Sequence, residues 1–361
     1  MFTIIYYISG HGYGHATRSG EIIRALLAKQ HDIQIHIRSN ISPGIFMMIF
    51  DARVNISAVN LDVGTVQKDS FHVDKHATLQ QVLNHYHRKD DIVKREVAYL
   101  KTIGADLVVA DIPPLAFDVA EVAGLPAIGV ANFSWDWIYR DYLSEIPAFS
   151  AAIENVSASY RKASLLLRLP FHGDLSVFRK IKDIPLLARK ANKQKNRVLN
   201  EIGIPPDFAE KLVLIAFRAA DLSSVKLQNL ENCSGVTFVT IGVEKRFHNQ
   251  INLTGDVPEF TNILAACDAV VSKPGYGLVS EVIANKTPLL FTEREDFAEY
   301  NVLVEGLSCY AVAEFLSSED FFSGMWRRAL HKLFDKPAVW RNVDMNGAEK
   351  AAEQIMMYLE T

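Results

Sequence analysis

Apolar residues fall into two series of short unbroken runs, with amphipathic stretches of helical period between them. The first series covers 2–8, 33–38, 54–59, 106–110, 127–131 and 164–168, with helical spacing over 16–29, 78–101 and 115–123. The second covers 212–217, 236–241, 269–272, 288–291 and 310–312, with helices over 277–285 and 299–306. Runs that are apolar on both alternating faces predict strands covered on both sides, and the alternation with helices predicts parallel sheets. Gly124-Leu125-Pro126 closes one helix cleanly. Between the series, a basic stretch at 189–197 and the pair Pro205-Pro206 predict a linker. A chain of 361 residues divided in this way predicts two domains.

No apolar run approaches the ~20 residues needed to span a bilayer. Ile45-Phe46-Met47-Met48-Ile49-Phe50 has the length of a buried helix, with an apolar patch for a lipid surface or a partner as the alternative. A net charge of −4 gives no sign of a nucleic-acid surface. Cys233, Cys267 and Cys309 are isolated and odd in number, which fits a reducing cytoplasm. Met1 runs straight into the first strand with no leader pattern, and the expected location is cytoplasmic.

Candidate chemistry begins directly behind the first strand, in Gly10-His11-Gly12-Tyr13-Gly14-His15-Ala16-Thr17-Arg18. A strand, a glycine-rich turn and a helix bring ligands to the carboxyl edge of a parallel sheet. Here the turn carries two imidazoles, His11 and His15, able to take a proton near neutral pH. The rival is a dinucleotide turn, which needs Gly-x-Gly-x-x-Gly, whereas these glycines stand at 10, 12 and 14. The second strand ends in Arg38, Ser39 and Asn40, without the acid that binds the ribose of NAD. A reading for NADP through Arg38 stays open.

A second strand–turn–helix lies at Ser272-Lys273-Pro274-Gly275-Tyr276-Gly277-Leu278-Val279-Ser280-Glu281. The free N–H groups and dipole of a helix start suit a diphosphate. The alternative is a plain packing turn. Thr292-Glu293-Arg294-Glu295-Asp296-Phe297-Ala298-Glu299 follows the next strand, a carboxylate-dense loop able to hold sugar hydroxyls or to cap a helix.

With these stretches in order, the chain resembles the GT-B glycosyltransferases, in the branch holding the N-terminal half of plant arabinokinases. The resemblance is carried by Gly10–Arg18, by Val66-Gln67-Lys68-Asp69 with Val73-Asp74, and by Val108-Val109-Ala110-Asp111. It also rests on Asn132-Phe133-Ser134-Trp135-Asp136-Trp137-Ile138-Tyr139 and Gly275–Glu281. More distantly the chain is similar to UDP-glycosyltransferases and the peptidoglycan N-acetylglucosaminyltransferase. The implied α/β fold has two doubly wound Rossmann-like domains facing across a cleft. Residues 1–195 would bind acceptor, 196–340 the nucleotide sugar, and a C-terminal helix in 341–361 would pack back on the first domain.

The implied activity is inverting transfer from a nucleotide sugar, UDP-linked by resemblance, to a hydroxyl acceptor. His15 is the implied base and Asp111 its orienting carboxylate. Gly275, Tyr276, Gly277 and Ser280 would hold the diphosphate, Glu281 the ribose, and Asp296 and Glu299 the donor sugar. Gly12, Gly14, His11, Asp69, Asp74 and Trp135 fall on the acceptor side, with Asp74 the second candidate for the base. No cofactor or metal is implied. The spacing of His72, Asp74, His76, His85 and His87 matches no metal-ligand pattern.

The chain departs from the family at Leu278, where relatives carry a small hydroxyl residue. At Phe217-Arg218-Ala219-Ala220 relatives carry a glycine-rich turn. Arg218 could bind the diphosphate through its guanidinium, or fill the pocket and end turnover. The readings are therefore a glycosyltransferase, an epimerase or hydrolase of nucleotide sugars on the same fold, and a non-catalytic sugar-nucleotide-binding protein. If extended, Trp135 and Trp137 would point to opposite sides, one ring packing in the core and the other forming a sugar-stacking platform; the alternative is that both pack in the core.

Overall fold

The computed structural model describes residues 1–29, 32–42, 44, 46, 53–69, 71–294 and 296–360. Apart from Phe46, which is buried, the run Ile45–Phe50 lies outside them, as does Glu295. Thirteen described strands form two all-parallel sheets. The first has the order β3-β2-β1-β4-β5-β6-β7, built from β1 (Phe2–Ile8), β2 (Ile33–Ser39), β3 (Val54–Ala58), β4 (Leu107–Asp111), β5 (Ala127–Ala131), β6 (Leu165–Arg168) and β7 (Ile181–Asp183). The second runs β10-β9-β8-β11-β12-β13, from β8 (Lys211–Ile215), β9 (Val236–Ile241), β10 (Gln250–Leu253), β11 (Ala269–Ser272), β12 (Leu289–Thr292) and β13 (Ala313–Leu316). This is the expected pair of doubly wound domains. Strand order reverses between β1 and β4 and again between β8 and β11, which is where open α/β sheets leave a crevice. Both candidate turns sit at those two points.

The helix Gly347–Leu359 packs back on the first helix, Tyr13–Lys29, with Ala351, Ala352 and Ile355 buried. Lys29 reaches Glu353 at 3.3 Å and Lys182 reaches Gln354 at 2.8 Å. Gly347 is needed there, because a Cβ would meet the Pro185 carbonyl oxygen at 2.4 Å.

Three expectations are corrected. The helix over 78–101 is two helices, Lys75–His87 and Lys89–Ile103, parted at Arg88. Asp90 and Asp91 fall in the first turn of the second helix, the end that favours negative charge. Trp135 and Trp137 are not on extended backbone but in a short helix, Trp135–Arg140. The last strand of the second sheet is Ala313–Leu316, displaced from 310–312, because the preceding helix continues to Tyr310.

The two halves are closed on one another. Gly14 and Gly277 approach so closely that a Cβ on Gly277 would lie 3.5 Å from the Gly14 Cα. Phe71, from the N-terminal half, packs among Phe217, Phe321 and Phe322 of the other, with ring centroids 5.2–6.2 Å apart. Asp69 shapes its approach by accepting the Phe71 and His72 N–H groups at 2.7 and 2.9 Å. Lys75 meets Asp296 at 2.7 Å, and the Tyr142 hydroxyl donates to the Asp296 carbonyl at 2.9 Å. Truncating a buried aromatic of this kind costs about 3 kcal/mol. Phe71→Ala is expected to lose that much in urea unfolding, and small-angle scattering should show a larger radius of gyration.

Candidate active site

Register places the first pair of functional groups. Ile8 of β1 lies beside Asp111 of β4, so the turn leaving β1 and the carboxylate ending β4 share one point on the sheet edge. The Ser9 N–H fixes this by donating to the Asp111 carbonyl at 2.7 Å. The helix that follows turns His15 and Arg18, three residues apart on one face, toward that carboxylate. His15 Nδ1 is 2.8 Å from Asp111 Oδ1, and Arg18 Nε donates to Oδ2 at 2.7 Å. Arg18 Nη2 donates to Oδ1, and the Ser19 hydroxyl to Oδ2 at 2.9 Å. Asp111 has no solvent exposure. Burial alone would raise its carboxyl, but Arg18 and His15 outweigh burial and hold it well below the usual carboxylate range.

The network then crosses the cleft. Arg18 Nη1 donates to Asn132 Oδ1 at 2.8 Å, and Asn132 Nδ2 donates to Glu299 Oε1 at 2.7 Å. The guanidinium also stands 5.4 Å from the Tyr276 ring centroid. Arg18, Asn132 and Tyr276 are all buried.

His11 is packed beside His15, with Thr65 Oγ1 3.1 Å from its Nε2 and the Trp135 ring edge-on at 4.9 Å. Burial, with His15, Arg294 and Lys273 nearby, pushes His11 down to about 3, so it is a neutral wall of the site. Gly64 packs over it at φ +66°, where a Cβ would meet His11 Nδ1 at 2.5 Å. Trp135 is 2% exposed and donates from its indole to Asp62 at 3.1 Å, which makes it a wall and not an open stacking platform. Asp74 caps the helix Lys75–His87 by accepting the Ala77 N–H at 2.9 Å, and Asp69 pairs with His72 at 2.9 Å. Both carboxylates are thus occupied locally and stand apart from the His15 cluster. Among the described residues, no group of three or more His, Cys, Asp or Glu is placed to hold a metal ion.

On the other side, the helix Tyr276–Asn285 starts after Gly275, and opposite it lie Gly12, in the turn before the first helix, and Gly14, in that helix's first turn. The Ser280 hydroxyl donates back to the Gly277 carbonyl at 2.8 Å. Glu281 is 4% exposed and pairs with Arg189 of the connecting segment at 2.6 Å. Arg218 is largely exposed and pairs with Asp221 through two nitrogens at 3.0 and 3.1 Å. Arg38, the residue of the NADP reading, is paired with Glu96.

The sequence reading passed over Arg18, Asn132, Lys273 and Arg294. Burial brings Lys273 down to about 7, and Arg294 and Arg218 push in the same direction. Burial likewise lowers Arg294 to about 10, with Glu299 opposing, and its Nε is buried with no hydrogen-bond partner among the described residues. Cations held together with such partial compensation suit an anionic ligand. Lys273 stands directly behind β11 and Asn132 directly behind β5, so position after a strand was the available signal.

Residues 2–158 match the family described as glycosyl transferase family 1. Over 354 residues the chain is 32% identical to an L-arabinokinase of Arabidopsis thaliana, covering 96% of this chain and 33% of that protein. The chain therefore spans about a third of the length of this curated relative. A UDP-glucosyltransferase from Polygonum tinctorium is similar in structure, with a TM-score of 0.65 at 12% identity over 100% of this chain and 99% of that one. The glycosyltransferase VinC, solved with dTDP, has a TM-score of 0.61 at 14% identity over 100% and 96%.

Replacing Asp111 by Asn leaves a buried guanidinium without its counter-charge, a loss of about 3–5 kcal/mol. The depressed Asp111 carboxyl also stabilises the fold above its unfolded value, and that contribution fades as pH falls below about 4. Urea unfolding between pH 6 and 3 should show an acid-dependent loss in the parent that is smaller in Asp111→Asn.

Proposed function

We propose that this chain, whose residues 2–158 match glycosyl transferase family 1 and whose fold is that of the GT-B enzymes, is a glycosyltransferase that moves a sugar from a nucleoside-diphosphate donor to a hydroxyl acceptor with inversion at the anomeric carbon. The observation that carries this reading is the His15–Asp111 pair at 2.8 Å, at the strand-order reversal and facing the turn that holds Gly275 and Gly277. With His15 Nδ1–H donating to Asp111, the lone pair lies on Nε2, the tautomer a general base needs.

The acceptor oxygen forms a bond to the anomeric carbon while its proton passes to His15 Nε2. The bond from that carbon to the diphosphate oxygen breaks, and the leaving group departs with the electron pair. Its added charge falls to the N–H groups of Gly275, Tyr276 and Gly277, with Lys273 and Arg294 as cations. Glu299, tied to Asn132, is the carboxylate that this reading assigns to a donor hydroxyl. The nucleotide sugar is a substrate, and no cofactor is required. UDP is the first base to test, followed by dTDP, the two nucleotides named with similar structures. Cys233, Cys267 and Cys309 are free thiols and fit a reducing cytoplasm as the working compartment.

A thermal-shift and calorimetry screen against UDP, dTDP, GDP and CDP tests the donor site. A ligand at a hundred times its Kd stabilises the fold by about 2.7 kcal/mol. One nucleotide should do so selectively, and silence from all of them overturns the reading. His15→Ala is expected to abolish transfer and leave nucleotide affinity within about threefold. A collapse of nucleotide affinity instead makes His15 a ligand contact.

Lys273 supplies a pH signature. A group that titrates at about 7 when free must be protonated to hold a diphosphate. Nucleotide affinity should therefore fall above pH 7, by up to about tenfold per pH unit. Calorimetry at pH 8 in buffers of different ionisation enthalpy should show proton uptake, lost in Lys273→Met.

A further inference from the structure

Away from the cleft floor, a cavity of about 480 Å³ opens at the far side of the first sheet, between the ends of β2 and β3 and the helix Lys89–Ile103. Its volume suits a small molecule. Arg88, Ile92, Arg95, Glu96 and Tyr99 follow the spacing of one helical face, and that face lines the cavity. A face turned toward a sheet edge ordinarily carries apolar residues. Here it carries two guanidiniums.

The charges do not cancel. Arg38 and Glu96 form a buried ion pair, with Arg38 donating also to Ser57 Oγ at 3.0 Å, so they neutralise each other. Arg88 and Arg95 have no carboxylate within ion-pair distance among the described residues. The lining therefore holds three arginines against one glutamate. His85 also lines it, kept neutral by burial, and its Nε2 has no hydrogen-bond partner among the described residues. The cavity shares a wall with the candidate active site. Asn60 lines it, and two residues on Asp62 accepts from Ser9 at 2.6 Å and from Trp135 at 3.1 Å. The Asp62 carboxylate interacts with both the His15 and the His85 imidazoles.

We propose that this cavity binds a small organic anion, a carboxylate or a phosphate ester, as the charged end of the acceptor. The acceptor role rests on the glycosyltransferase reading, whereas the anion site stands on the lining itself. Arg95 donates its Nε to the Asp91 carbonyl at 3.3 Å, and neither it nor Arg88 meets a carboxylate among the described residues. Guanidiniums are the groups that recognise either anion in two-point fashion.

The test is calorimetric titration of the full chain with glucuronate, glucose 6-phosphate and glucose, which share a ring and differ in charge. At least one of the two anions should bind about tenfold or more tighter than glucose. Glucuronate alone marks a carboxylate site, and glucose 6-phosphate alone a phosphate site. The R88Q/R95Q double variant should erase the preference, R88K/R95K should keep part of it, and UDP affinity should hold in both. Equal binding of charged and neutral sugars, or a preference that survives R88Q/R95Q, overturns the proposal. A preference lost in Lys273→Met instead places the anion in the donor cleft and overturns it as well. Anion binding here without any nucleotide binding keeps the site and removes only its acceptor role.

Discussion

A carboxylate with no access to water has to be neutralised by its neighbours, and the cleft is organised around one. Asp111 receives a guanidinium, an imidazole and a hydroxyl on its two oxygens. These occupy its lone pairs and fix its ionised state. Arg18 in turn requires Asn132, and Asn132 spends its amide N–H on Glu299 of the other half. The charge paired with His15 is therefore also the anchor of a polar chain spanning the interface. Opening the halves would strip Asn132 of its carboxylate partner, so the orientation of His15 and closure are linked by hydrogen bonds, not only by proximity.

The opposite wall follows the reverse logic. On the Asp111 side the guanidinium and the imidazole answer the carboxylate, whereas behind β11 and β12 two cations are buried near one another. Burial shifts Lys273 and Arg294 toward their neutral forms, and at Lys273 the neighbouring Arg294 and Arg218 add to it while Asp221 and Asp69 oppose it. Protein stability alone gives no reason to hold them there. An arriving diphosphate would relieve that repulsion, which is how a preorganised site gains affinity for the charge it awaits.

Much of this was legible in the sequence because parallel sheets write themselves as apolar runs. The strands, both doubly wound halves and the His15–Asp111 pairing followed from periodicity and resemblance. What escaped depends on side chains meeting across long separations. Asn132 to Glu299 spans 167 residues, and no local pattern marks such a bond. Arg18 was overlooked although it lies one helical turn from His15, because a lone arginine in a first helix usually faces solvent. The break at Arg88 was hidden by continuous helical spacing. Asp69 and Asp74 looked like free acids and are committed to a turn and a cap, the ordinary local uses of aspartate.

Exposure separates the two carboxylate–arginine pairs that flank the donor side. Arg218 is largely exposed, but the side chain of its partner Asp221 is only 5% exposed. Asp221 also acts on Lys273, so it keeps a cation nearby if Arg218 turns to a diphosphate oxygen, and charge-assisted bonds to phosphate are the stronger kind. Glu281 is buried against Arg189, and parting a buried pair costs about 3–5 kcal/mol. Both pairs bury their carboxylate, and they differ in the arginine: that of the Phe217-Arg218 turn stands at the surface, whereas the one holding the motif's own glutamate is largely covered.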